Sequence, residues 1–170
     1  MHIRQFQVGY APEHDRILVR ISSSEKQEVR CWLTRRMVKM LLPNLSDMMQ
    51  KLLTSDRILS PAARSAILAM NREVAIYSAD LATRYDDNFD SLPLGAEPLL
   101  VTQIELHPLG ENGAPDIILR LFTASGQGFE LRMAEQLQHG LYNLIARACD
   151  QAEWEIDASI IQTESASVQH

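Results

Sequence analysis

Residues 16–39 read RILVRISSSEKQEVRCWLTRRMVK, and this stretch decides the fold. Ile17, Val19 and Ile21 alternate with Leu18, Arg20 and Ser22, and Val29, Cys31 and Leu33 alternate with Glu28, Arg30 and Trp32. A period of two puts successive side chains on opposite faces of a strand. The intervening SSSEK is turn-rich, so the pair reads as a hairpin. Thr34 is placed to cap a helix with its hydroxyl. Met37, Met40, Leu41, Leu45, Met48, Met49 and Leu52 then recur at helical spacing to about Thr54. Pro43 removes a backbone donor and crowds the carbonyl of Lys39, which predicts a kink or a break into two short helices.

Residues 116–139, DIILRLFTASGQGFELRMAEQLQH, align with that stretch at a constant offset of one hundred. Identities are few: Ile17/Ile117, Arg20/Arg120, Gln27/Gln127 and Leu41/Leu141. The apolar pattern matches better, because Ile17, Val19, Ile21, Val29, Cys31, Leu33, Met37 and Leu45 all fall on apolar counterparts. Charges diverge: Arg30 faces Glu130, Trp32 faces Arg132 and Arg35 faces Glu135. Either a βββα unit has been duplicated, each copy burying its apolar face on the other, or a common hairpin–helix motif occurs twice. Duplication would make the inward pattern a folding demand and leave the outward residues free to specialise.

Working outward, residues 2–9 form a first strand, followed by the loop APEHD. Ser60-Pro61 is a strong helix start, a capping hydroxyl followed by proline at the first helical position. The Ala-rich run to about Tyr85 predicts one long helix, with Ala62, Ala63, Ile67, Met70, Val74, Leu81 and Tyr85 as its buried stripe. Residues 86–98 form an acidic loop. LLVTQIELH, DIILRLFT and GFELRM are three further strands, with His107-Pro108 ending the first. A last helix carries Leu137, Leu141, Leu144, Ile145 and Cys149, with His139 on its polar side. From about Ile160 the chain is small and polar, the composition of a disordered tail. The expected architecture is α+β: two βββα halves around one core with a long inserted helix. Its segments are 1–55, the helix and acidic loop 56–97, the second half 98–157, and the tail 158–170.

The totals suit this reading. A chain of 170 residues, 46% apolar and 22% charged, is long enough to bury a core without staples. The seven Met are expected mainly as core gap-fillers. Two cysteines with no CxxC or Cys/His cluster read as buried thiols of a reducing compartment. MHIRQFQVGY lacks the apolar run of a signal peptide, and no stretch is long and apolar enough for a spanning helix. A cytoplasmic protein without membrane contact is therefore expected.

Charge is uneven. Residues 16–39 carry Arg16, Arg20, Lys26, Arg30, Arg35, Arg36 and Lys39 against Glu25 and Glu28, a local +5 in a chain of net −6. Arg30 and Trp32 share one strand face, and Arg35, Arg36 and Lys39 follow on the first helical turns. Cations in a helix's first turn oppose its dipole, which makes them notable. Trp and Arg dominate protein interfaces, so Arg30, Trp32, Arg35, Arg36 and Lys39 form a candidate binding patch for an unidentified protein partner. The same patch is suited to phosphates and a stacked base, although the acidic whole weighs against a dedicated nucleic-acid binder. The plainer reading pairs Arg20 with Glu28 across the hairpin and packs Trp32 beneath Arg16.

Asp86, Asn88, Asp90 and Glu97 fall at positions 1, 3, 5 and 12 of an EF-hand calcium loop. Ser91 stands where that loop needs glycine, Pro93 lies within it, and a strand follows in place of a helix. An acidic helix exit is the competing reading. No GxGxxG, P-loop or GxSxG occurs, and SGQG at 125–128 is a hairpin turn. His14 beside Asp15 is the best lone general base. No cofactor is implied. The expectation is a non-enzymatic binding or accessory protein, with nucleic-acid binding and an enzyme of unrecognised type as alternatives. A homodimer is compatible with the Met-rich helix.

Overall fold

The computed structural model describes residues 2–53, 60, 62, 63, 66, 67, 69, 70, 84–109 and 115–156. Their elements are β1 (Ile3–Ala11), β2 (Arg16–Ser23), β3 (Glu28–Thr34), α1 (Arg35–Leu53), β4 (Leu99–Leu100), β5 (Gln103–Leu109), β6 (Asp116–Phe122), β7 (Gly128–Met133) and α2 (Glu135–Gln151). They make a mixed α+β fold with a four-stranded sheet, β1-β2-β3-β4, and a three-stranded sheet, β5-β6-β7. All pairings are antiparallel except β3–β4, which is parallel.

The period-two residues do what their pattern requires. Ile17, Val19, Ile21, Cys31 and Leu33 face inward from the first sheet, and Ile117, Leu119, Leu121, Leu131 and Met133 from the second. Val38, Leu41, Leu42, Leu45 and Met49 of α1 and Leu141, Tyr142, Ile145 and Cys149 of α2 complete one core. A residual cavity of about 10 Å³ is walled by both sheets and both helices. The helices cross over: α1 packs on β5 of the second sheet and α2 on β1 of the first, and the two helices touch.

The offset of one hundred persists in three dimensions. Ile17 pairs with Leu33, Val19 with Cys31 and Ile21 with Val29. Ile117 pairs with Met133, Leu119 with Leu131 and Leu121 with Phe129. Both hairpins turn alike. Lys26 N–H donates to Ser23 O (3.1 Å) and Ser23 N–H to Gln27 O (2.9 Å), and Gly126 N–H donates to Thr123 O (3.0 Å) and Thr123 N–H to Gln127 O (2.8 Å). Lys26 and Gly126 occupy the same left-handed position, φ 54° and 85°. Positions 38/138, 41/141, 42/142, 45/145 and 49/149 are buried on both helices.

Several expectations need correction. Pro43 does not break α1, which is one helix from Arg35 to Leu53. Thr34 caps it, its hydroxyl accepting from Met37 N–H at 3.3 Å. Next to the proline, Asn44 Nδ2 donates to the Met40 carbonyl at 2.7 Å, one residue on from the Lys39 carbonyl that Pro43 leaves without its helical donor. The stretch expected as a single strand from Leu99 serves two sheets: β4 ends on the first and β5 opens the second. Pro108 lies inside β5, an edge strand, where proline is tolerated. His139 is buried, not on a polar face. Most of the helix expected near 61–85 lies outside the described residues. Ala62, Ala63, Ala66, Ile67, Ala69 and Met70 are helical, and Ser60 Oγ accepts from Ala63 N–H at 3.2 Å. Arg84 and Tyr85 are not helical. The tail from residue 157 also lies outside the described residues.

Candidate functional site

The face of the first sheet turned away from the core carries most of the residues singled out above. It divides into a roofed zone and an open one.

The roofed zone holds Arg20, Glu28 and Arg30. Arg20 and Arg30 are direct cross-strand partners, so two guanidiniums stand side by side. Glu28, with no exposed surface, pairs with both. It accepts from Arg20 Nε at 3.1 Å and Nη2 at 2.9 Å, from Arg30 Nε at 2.5 Å, and from Tyr85 Oη at 2.8 Å. Burial pushes the Glu28 carboxyl upward, but the hydrogen bonds from Arg20, Arg30 and Tyr85 outweigh it and hold it below its ordinary value. Burial, and then the Glu28 contact, push the Tyr85 hydroxyl up.

Residues 84–97 form the roof. The Tyr85 ring lies under Arg20 (4.5 Å to its centroid) and the Phe89 ring under Arg30 (5.3 Å). Asp87 meets Arg20 at 2.7 Å and Asp86 meets Arg4 at 3.1 Å. Arg30 Nη1 also donates to Ala96 O at 3.3 Å. Backbone bonds complete the attachment: Asp90 N–H to Lys26 O (2.7 Å) and Glu28 N–H to Ser91 O (3.0 Å). This segment is therefore a strap.

The proposed calcium ligands are distributed along this strap. Asp86 faces Arg4 and accepts from Asn88 N–H at 3.0 Å. Asp90 and Glu97 are exposed. Among the described residues no three His, Cys, Asp or Glu side chains gather as a metal group. Arg30, expected in the binding patch, is instead occupied by Glu28, Phe89 and Ala96.

The open zone lies one step along the strands. Gly9, Leu18, Trp32 and Leu100 form a row across all four strands of the sheet. Leu100 is 38% exposed, and Leu18 and Trp32 are half-buried. The His14 ring lies against Trp32, centroids 5.1 Å apart and tilted by 50°. The loop bearing His14 is held by Asp15, whose Oδ1 accepts from Tyr10 Oη (2.9 Å) and Trp154 Nε1 (3.1 Å). Arg16 pairs with Thr34 in the next row, and Arg35, Arg36 and Lys39 are exposed on the first turns of α1. Among the described residues none of these four cations has a carboxylate at ion-pair distance.

Sequence reading found Trp32, Arg35, Arg36 and Lys39 but missed His14 as the neighbour of Trp32. It also missed Leu100, and Tyr85 and Phe89 as roof residues. The two aromatics four apart in an otherwise acidic loop were the available signal for the roof. A groove of about 240 Å³ between α1 and β5 is lined by Met40, Asn44, Asp47, Met48, Lys51, Ile104 and Leu106. Its charged members are Asp47 and Lys51. Comparison with known protein families, with characterised proteins and with solved structures finds no match.

Proposed function

We propose that this chain is a non-enzymatic binding protein that engages a protein partner through the open zone. The observation that supports it best is the apolar row Leu18–Trp32–Leu100, left open beside four cations that have no acidic partner among the described residues. A partner segment with an apolar anchor and nearby carboxylates fits that combination: the anchor covers Trp32, and the acids meet Arg35, Arg36 and Lys39. The test is a tagged pull-down from host lysate, with and without nuclease, using wild type, Trp32→Ala and Arg35→Glu. The expected result is a stoichiometric partner that survives nuclease and is lost with Trp32→Ala, a weakening on the order of 30-fold for an interface hot spot. Undiminished capture by both variants refutes the reading. Capture abolished by nuclease would instead assign the cations to a phosphate backbone.

We further infer that the two halves, β1-β2-β3-α1 and β5-β6-β7-α2, repeat one βββα unit. Shared hairpin register, identical turn bonding and the reciprocal packing of α1 on β5 and α2 on β1 support this. Each unit alone would leave an apolar sheet face uncovered. The equivalence of positions 26 and 126 gives its test, taken up in the Discussion.

A further inference from the structure

The two hairpins differ at their outer edges. In the first sheet the edge of β3 is engaged at both ends. Gln27 bridges to Ser91, Glu28 N–H donates to Ser91 O, and Trp32 O accepts from Val101 N–H at 3.1 Å. In the second sheet β7 is the last strand, and among the described residues no strand pairs with its outer side.

The ladder fixes which groups that edge presents. Thr123 N–H bonds Gln127 O, so bonding toward β6 recurs at Phe129, Leu131 and Met133. Gly128, Glu130 and Arg132 then turn N–H and C=O outward. Their counterparts Glu28, Arg30 and Trp32 have the same parity, and the first sheet's closing bonds do fall on Glu28 and Trp32. An unpaired run of backbone donors and acceptors is a template for another strand.

We propose that β7 pairs antiparallel with β7 of a second copy of this chain, the two-fold axis passing at Leu131. In that register Glu130 stands opposite the other copy's Arg132, and Arg132 opposite its Glu130. Both are hydrogen-bonded pairs, so they use the outward backbone groups, and opposite charges meet at both ends. On the inner face Phe129 is half-buried, whereas Leu131 and Met133 are already buried in their own chain, so the pairing rests on the outward backbone groups and on Glu130 and Arg132. A shift of one residue brings Glu130 opposite Leu131 and breaks the match. The closed edge lacks this self-complementarity: Arg30 would meet Trp32 there. Within one chain Glu130 pairs with Arg120 (2.8 Å) and Arg132 with Asp116 (3.0 Å). Glu130 and Arg132 are themselves exposed, 50% and 65%, and can exchange these partners for each other's across the edge.

The test measures mass by sedimentation and light scattering over a dilution series. The full chain is expected at twice its 19.2 kDa at high concentration. Glu130→Arg and Arg132→Glu each set like charges opposite one another at both ends, and each should weaken association on the order of ten-fold or more. The double variant restores opposite charges and should restore the dimer. Amide protons of Glu130 and Arg132 should exchange slowly in the dimer and faster on dilution. A monomer at every concentration overturns the proposal, as does a dimer indifferent to both single variants. A double variant that stays monomeric overturns the register. If circular dichroism shows the variants unfolded, the wild-type amides decide: fast exchange at Glu130 and Arg132 in a dimer overturns it. Trp32→Ala should leave the mass unchanged, which separates this edge from the partner patch.

Discussion

Replacing Glu28 with Gln keeps the shape of the side chain and removes the charge on which the strap depends. The carboxylate receives two hydrogen bonds from Arg20, one from Arg30 and one from Tyr85. An amide offers one acceptor oxygen, and its NH₂ faces donors. Arg20 and Arg30, cross-strand neighbours, would then share, among the described residues, only Asp87, which meets Arg20 at 2.7 Å, as a remaining counterion. Removing one partner of a fully buried ion pair costs about 3–5 kcal/mol. Arg20 and Arg30 are 16% and 24% exposed and recover some hydration, so about 2–3 kcal/mol is the reasoned loss. For a chain of this length that lowers the melting midpoint by roughly 4–12 °C. Urea unfolding should show a lower midpoint with unchanged slope. The pH dependence supplies a second reading. A carboxyl whose folded pKa lies below the ordinary 4.5 contributes its stability in full above 4.5. That contribution is lost as pH falls through the lower folded value. The gap between wild type and Glu28→Gln should therefore be widest above 4.5 and narrow under more acid conditions. A loss below about 1 kcal/mol, the size of an exposed pair, or a gap that does not narrow with acid, would refute the reasoning.

The two hairpin turns should answer substitution with opposite signs. Lys26→Gly relieves a side chain at φ 54° and should be neutral to stabilising by about 0.5–1 kcal/mol, whereas Gly126→Ala imposes one at φ 85° and should destabilise by about 1–2 kcal/mol. Thermal unfolding checks both, and like-signed effects would count against equivalent turns. Cys31 and Cys149 are buried, and burial pushes their thiols up to about 12 and about 11. A thiol reagent should find no fast-reacting group in the folded chain and two after denaturation. Because the folded thiols favour the neutral form, their contribution is complete below the ordinary value of 9.0 and fades as pH rises toward those values.

What could be read in the sequence follows physical range. The β2–β3 and β6–β7 hairpins were legible because period two and turn chemistry are local, and the Arg20–Glu28 pair because cross-strand neighbours lie close in sequence. The unbroken helix through Pro43 was not, because burial of Leu41, Leu42 and Leu45 on both sides outweighs one missing hydrogen bond, a tertiary gain that no local pattern reports. His139 was misplaced for the same reason: helical phase alone does not say how wide a face the rest of the fold covers. Division of the stretch from Leu99 between two sheets depends on β3 having an edge to fill. Within the candidate patch, local reasoning put Arg30 and Trp32 on one face correctly. It could not see that residues 85–96 return across the sheet to occupy Arg30.

That return explains why two hairpins with the same interior carry different exteriors. The strap covers Arg20 and Arg30, and in closing the β3 edge it takes up outward-facing backbone groups that would otherwise be bare. At Glu28 a long carboxylate is stable because the strap supplies Tyr85 and the two arginines hold its charge. At the equivalent Gly128 an added methyl would collide with the Leu121 carbonyl and the Phe122 ring, so that position has no room for such a network. Among the described residues no strap or strand lies on that edge, where the charge of Glu130 and Arg132 keeps indiscriminate strands away and alternation of sign admits a matching one. The open row at Trp32 lies beside the rung that the strap has already filled. One connecting segment thus closes the edge of the first sheet and roofs part of its face, while among the described residues no strand pairs with the outer edge of the second.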